Sequence, residues 1–166
     1  MNKFLIPTIA FVLLSCSDQG LSPQDRDFNI LLRFGVGGRN ELNTFQNTYT
    51  KDLISDGIVT VSLVLSDREL QTVKEKLIEI GFFSYPDSLP VSPADSFLVA
   101  IEPHASNQIR VKNQSMVKTV FWNDTIVPSY TDIRRKNLQE IIAFIANMIS
   151  QRPEILNLPP ARGGYL

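Results

Sequence analysis

One cysteine, one histidine and one tryptophan stand in 166 residues, and two of these scarcities close off whole classes of chemistry. A single thiol, Cys16, leaves no disulfide within the chain, so the fold must rest on its core instead of covalent staples. A zinc site wants three or four protein ligands, and Glu102 with His104 supplies two. His104 therefore reads as a turn histidine at a strand end. A serine triad would have to use the same imidazole, and no Gly-x-Ser-x-Gly elbow accompanies it. No metal and no organic cofactor is expected. Charge of one sign is lacking too: 16 Lys+Arg against 17 Asp+Glu leave a net charge of −1. That balance offers no electrostatic footprint for nucleic acid and no polybasic membrane patch. Nor is there an apolar run of the roughly 20 residues that span a bilayer as a helix.

What the chain does hold starts at its first residues. Met1-Asn2-Lys3 is short and positive, and Phe4 to Leu14 is almost wholly apolar, broken by Pro7 and Thr8. A charged start, a short greasy run and a small residue make a secretory signal peptide. The small residue is Ser15, directly before Cys16. Leu13-Leu14-Ser15-Cys16 resembles the lipobox of bacterial lipoproteins. The resemblance implies that Cys16 is diacylated on sulfur with palmitate-type chains and becomes the new N-terminus after cleavage. Two or three acyl chains hold a protein on a bilayer where one anchors only marginally, so the membrane itself is an expected partner. Ser17, where an inner-membrane retention signal would place Asp, favours the outer membrane of the cell envelope.

The remainder divides by composition. Residues 1–15 are expected to be the signal and 16–26 the lipidated cysteine with a polar tether, "SDQGLSPQDR" from Ser17 on. Residues 27–152 should form one globular domain, and 153–166 a Pro/Gly-rich tail that either frays or straps onto the sheet. Within the domain Asp27 to Val36 alternates: Phe28, Ile30, Leu32, Phe34 and Val36 on one face, Asn29 and Arg33 on the other. That period of two is a half-buried strand. Ile58 to Leu65 repeats it, and Ser55-Asp56-Gly57 turns Thr48 to Ile54 back as a hairpin arm. Ser66 with Glu69 is a capping box, Leu70, Val73, Leu77 and Ile80 recur at helical spacing, and Gly81 suits a left-handed C′ residue. Phe97 to Glu102, Gln108 to Asn113 and Met116 to Trp122 read as three further strands. A second helix is expected over Thr131 to Gln151, with Pro153 as its stop.

The fold class is therefore α+β, a single domain: a curved, mainly antiparallel sheet of about five or six strands with two helices on one face, in the order strand-strand-strand-helix-strand-strand-strand-helix. The hairpin, the helix ending in "IGFF", the further strands and the closing helix resemble extracytoplasmic domains of bacterial lipoproteins to which no activity is assigned. Three places offer chemistry. "FGVGGRNE" puts Arg39, Asn40 and Glu41 after a glycine-rich strand end, either a bulge or a ligand loop. It lacks the Lys-Ser/Thr of a phosphate loop. Arg134-Arg135-Lys136 at a helix start opposes the macrodipole at about 0.3–1 kcal/mol each. That run is either a basic knob for an acidic partner or headgroup, or charge screened by Asp132 and Glu140. Phe121 and Trp122 near Pro128 and Tyr130 form either an aromatic edge for a glycan or peptide, or core. Asp52, Asp56, Asp87 and Asp95 fall at turns, where Asp commonly bonds locally.

The expected function is a non-catalytic, lipid-anchored envelope domain that binds another protein or an envelope polymer. A small-ligand or glycan module using Gly35–Glu41, and a hydrolase with carboxylates that no motif reveals, are the alternatives. The anchor is directly testable. Metabolic labelling with an alkynyl palmitate should mark the native chain, and Cys16→Ser should remove the label; labelling that survives the substitution sinks the anchor.

Overall fold

The computed structural model describes residues 26–90, 103–123 and 132–165. Cys16 with its signal and tether, the strand expected over Phe97 to Glu102, and Asp95 lie outside the described residues.

Strand β1 (Phe28–Phe34) organises the rest. Its alternation buries Phe28, Ile30 and Leu32 on one side. Strands β2 (Asn40–Asn43), β3 (Thr48–Asp52) and β4 (Ile58–Ser62) continue from it as an antiparallel meander. On its other side β5 (Ser106–Asn113) pairs antiparallel with β1, and β6 (Met116–Asn123) with β5, giving the order β4-β3-β2-β1-β5-β6. Register then lines up the apolar residues. Leu32 lies opposite both Leu42 and Ile109, Leu42 opposite Tyr49, and Ile109 opposite Val120, so one buried row crosses five strands.

The helices cover that face. Helix α1 (Asp67–Glu79) starts in the expected capping box: the Ser66 hydroxyl accepts from the Glu69 N–H at 3.3 Å, and the Glu69 carboxylate accepts from the Ser66 N–H at 2.7 Å. It buries Leu70, Val73 and Leu77 and gives way to Gly81, whose φ of 69° only glycine adopts freely. A 3-10 turn, Phe82–Ser84, then sinks Phe82 completely into the core. Helix α2 (Ile133–Ile149) adds Leu138, Ile141, Ile145 and Ile149. Each fully buried Leu or Ile contributes about 1.5–3 kcal/mol, so this interlayer core is the main favourable term.

The layout departs from the expected order in three places. Four strands, not three, precede α1: β2 is a short "NELN" whose only apolar side chain is Leu42, and pairing on both sides makes it a strand. Pro153 does not merely end α2. It occupies the first turn of a third, short helix, α3 (Pro153–Leu156), where its missing N–H costs nothing. Asn29, expected to face solvent, is fully buried. Its amide oxygen accepts from the Thr44 hydroxyl at 3.1 Å, and that hydroxyl in turn accepts from the Ile30 N–H at 2.8 Å, closing the ladder where β2 peels away.

Beyond α3 the tail straps down. The Arg162 N–H donates to the Leu53 carbonyl at 3.1 Å and its own carbonyl accepts from the Ser55 N–H, a one-residue parallel bridge at Ile54. Ile54 itself sits at φ 63°, uncommon for a β-branched residue, and is held there by this bridge and by the Asp52 carboxylate.

One ion pair ties the last turn to the first helix. Arg152 donates both to the Val64 carbonyl at 2.8 Å and to the Glu69 carboxylate at 2.6 Å. Burial works against the Glu69 charge, but the hydrogen bonds from Arg152 and Ser66 outweigh it and hold the carboxyl below its ordinary value near 4.5. A lowered folded-state value means stability that is present above the unfolded value and lost as pH falls through the folded one. Glu69→Gln should therefore destabilise the domain by about 1–2 kcal/mol at pH 7. That gap should close progressively below about pH 4.5. Denaturant melts of both proteins at pH 7 and pH 3.5 check this; a gap independent of pH would show that the charge contributes nothing.

Candidate functional site

Because the helices lie on one face only, the other face of the sheet carries no described element. Its residues are the mainly polar halves of the alternating strands, with Leu31, Val117 and Phe121 among them. Two cross-strand rungs run over β2, β1, β5 and β6: Asn43–Leu31–Arg110–Thr119 and Glu41–Arg33–Gln108–Phe121. Arg33 is half-exposed and its Nε donates to the Glu41 carboxylate at 2.7 Å. The Arg110 guanidinium lies 5.8 Å from the centre of the Phe45 ring, a cation–π distance. Phe121 keeps 49% of its surface exposed.

Two shallow grooves meet at Arg33. One, of about 390 Å³, has Leu31 and Phe45 as its apolar lining, with Glu41, Asn43, Gln46 and Arg110 around them. The other, of about 280 Å³, runs from Gly37 and Gly38 past Ser106 and Gln108 to Phe121 and Asn123. The polar side chains on this face are ordered by each other. Asn43 donates to both Glu41 and Gln46, at 3.1 and 3.3 Å, and accepts from the Phe45 N–H at 3.1 Å. The turn between β2 and β3 is thereby fixed, and Phe45 with it.

The glycine-rich segment proves to be a wall of this face. The Gly35 carbonyl accepts from the N–H groups of Gly38 and Ser106, at 2.9 and 3.0 Å, and Gly37 donates to the His104 carbonyl at 3.3 Å. A Cβ on Gly38 would stand 3.2 Å from the Ser106 carbonyl, so the segment closes on backbone. The three polar residues after it do not converge. Glu41 pairs with Arg33 on the open face. Asn40 turns inward to accept from the Asp52 N–H at 3.0 Å. Arg39 reaches Asp52, its Nε 3.7 Å from the carboxylate.

Two other candidate residues are relocated by the structure. Trp122 is 2% exposed and belongs to the core, because β6 parity turns it toward the helices while Phe121 faces out. Arg135 is buried as well, on the inner stripe of α2, and donates to the Pro90 carbonyl. Arg134 bends back over the helix start, donating to Asp132 at 2.6 and 3.0 Å. That hydrogen bond, against burial and with help from the Arg134 N–H, holds the Asp132 carboxyl below its usual range. Asp132 is thus the N-cap, and its charge answers the cations that would oppose the macrodipole. Lys136 stands 3.9 Å from Glu140, so the run is not a three-residue knob. Pro128 and Tyr130 lie outside the described residues.

Of the turn carboxylates, Asp87 is exposed against Lys118 beside β6 and Asp52 is buried at the end of β3, near opposite edges of the sheet. Asp56 sits exposed in the turn between β3 and β4. Among the described residues no group of three His, Cys, Asp or Glu side chains gathers to hold a metal, and no helix is long and apolar enough to cross a membrane. No protein-family model matches the chain, and comparison with curated proteins and with solved structures finds no match either.

Strand alternation already puts Arg33 on the outer face. Arg110, Phe45 and Gln108 carry no motif; the register of β1 with β5 brings Arg110 and Gln108 beside it, and the turn after β2 brings Phe45. Asp52 holds the far end of the sheet: it accepts from the Ile54 N–H at 3.0 Å and from the Tyr165 hydroxyl, so the tail is latched on a buried charge. Tyr165→Phe removes one donor from that carboxylate and should lower stability by about 1–3 kcal/mol. A thermal melt of the variant measures it, and an unshifted midpoint would mean the latch contributes nothing.

Proposed function

We propose that this chain is a lipid-anchored domain of the bacterial envelope, favouring the outer membrane, which binds a partner and performs no chemistry on it. The observation that carries the binding half of this reading is the open sheet face. Cationic and amide side chains, a half-exposed phenylalanine and two grooves that share Arg33 stand together there, on the layer opposite the helices. The anchoring half is supported by Leu13-Leu14-Ser15-Cys16 at the end of a short apolar run. In this reading the acyl chains on Cys16 fix the domain to the bilayer, the polar segment up to Arg26 spaces it away, and the rigid sheet displays its uncovered face to the envelope.

A binding role fits the way the face is built. Most of its side chains are positioned by strands, which suits a preformed surface that recognises without rearranging. Two carboxylates of the sheet already have structural partners: Glu41 pairs with Arg33, and Asp52 serves the latch.

Placing a photo-crosslinking amino acid at Thr119 on the open face, or at Gln139 on the exposed side of α2, tests the reading in the native cells. The expected result is one recurrent envelope component captured from Thr119 and not from Gln139. Equal capture from both positions, or none from Thr119, would overturn the assignment of the face.

A further inference from the structure

We infer that β4 is a docking edge for a second copy of this chain: two β4 strands pair antiparallel about Thr60 and join two six-stranded sheets into one. This assembly goes beyond the proposed binding role and depends on neither the anchor nor the open-face partner.

The backbone is the first argument. β4 pairs only with β3, so its other side is an edge of the sheet. The Leu63 N–H donates to the Asn47 carbonyl and the Leu53 N–H to the Gly57 carbonyl, both at 2.8 Å. Bonded pairs recur at every second residue of an antiparallel ladder, so Val59 and Val61 also turn their backbone groups to β3. Those of Ile58, Thr60 and Ser62 turn outward, and no described residue bonds to them.

The two edges of the sheet are treated differently. On β6 the Phe121 N–H donates to the Asp87 carbonyl at 2.8 Å, and the Phe121 carbonyl accepts from the Leu89 N–H at 3.0 Å. Lys118 adds a charge to that edge. Cover, charge, proline or a bulge is how an edge is kept from pairing. β4 has none of these. Gly57 to Ser66, "GIVTVSLVLS", carries no charge and no proline, and the register with β3 runs unbroken from Ile58 to Ser62.

Backbone groups alone would accept any strand; the side chains select a second copy. A two-fold axis at Thr60 puts Thr60 opposite Thr60, Val59 opposite Val61, and Ile58 opposite Ser62. The Thr60 hydroxyl already lies 2.8 Å from that of Thr50, so a row of threonines continues across the seam. On the other face each Val59 meets a Val61, and both kinds of cross-strand pair are favourable. Val59 and Val61 are only half-buried in the single copy, and pairing covers them. Like charges stay apart, since the two Asp56 residues fall on opposite sides of the axis, about 27 Å from each other along the seam. Because the β6 edge is blunted, growth stops at two copies.

Cysteine placement in the full chain reads the register. The two-fold sets residue 60 about 5.5 Å from its copy, within disulfide reach, and residue 58 about 14 Å from its own copy along the strand. Oxidised with diamide in its native cells, Thr60→Cys should form about tenfold more disulfide-linked dimer than Ile58→Cys, with the bridge mapped to residue 60 by mass spectrometry. Bridges through Cys16 map elsewhere and do not count. Ile58→Cys should link instead to Ser62→Cys when the two are coexpressed. Thr60→Lys sets two like charges opposite each other and should weaken the dimer about tenfold in sedimentation equilibrium of the purified chain, in density-matched detergent, while melting like the parent. The inference is overturned if Thr60→Cys links no more than Ile58→Cys, if the parent sediments as a monomer, or if Thr60→Lys associates like the parent. A bridge from residue 60 to a different protein would overturn it in favour of a foreign strand.

Discussion

Everything in this domain depends on a sheet that can bury only one of its faces. Ile30 and Leu32 commit β1 to a side, and antiparallel register then obliges Leu42, Ile109 and Val120 to follow. A slip of one residue in any pair would put Arg33 or Arg110 under the helices and a leucine into solvent, so the pairing is strongly specified. Both helices must then lie on the same layer. The face left over is mainly polar by the same rule, which is why a candidate binding surface exists at all.

Polar groups hold the places where this scheme would otherwise fail. β2 is too short to satisfy all of β1, and the Thr44 hydroxyl with Asn29 completes the missing backbone bonds inside the core. The chain ends of α1 and α2 meet at Arg152, and the last residues of the tail meet β3 at Asp52. These contacts are few, buried or half-buried, and each joins segments far apart in sequence. They act as fasteners at the perimeter of a hydrophobic layer that supplies most of the stability.

The parts of this architecture legible in the sequence are those with a local physical signature. The alternation of β1, the Ser66–Glu69 cap, Gly81, and the stripe of α2 each declare themselves within a dozen residues, and each stands where the pattern put it. The pairing of Thr48–Asp52 with the strand after it was legible for the same reason, through the turn at Gly57. β2 was not, because Asn40, Glu41 and Asn43 owe their strand to neighbours, and Glu41 and Asn43 face the open layer, where apolar residues are not required. Asn29 was misplaced because parity describes which way a side chain points and not whether a distant hydroxyl will cover it. At the site, composition drew attention to glycines and to runs of arginine, yet Arg135 is buried and Arg134 serves its own cap. Most of the residues that share the open grooves belong to four strands, and nothing but register makes those neighbours.

The strand order also has a temporal meaning. β1 to β4 form a meander of short connections, so their hairpins close quickly and at small entropic cost. The partner on the other side of β1 is β5, which is synthesised only after α1, so Leu32 must wait for Ile109. Until that pairing closes, β1 shows a raw edge. Contacts this distant in sequence slow folding and prolong exposure to wrong partners. The seam between β1 and β5 therefore carries the largest loop-closure cost among the described strand pairings.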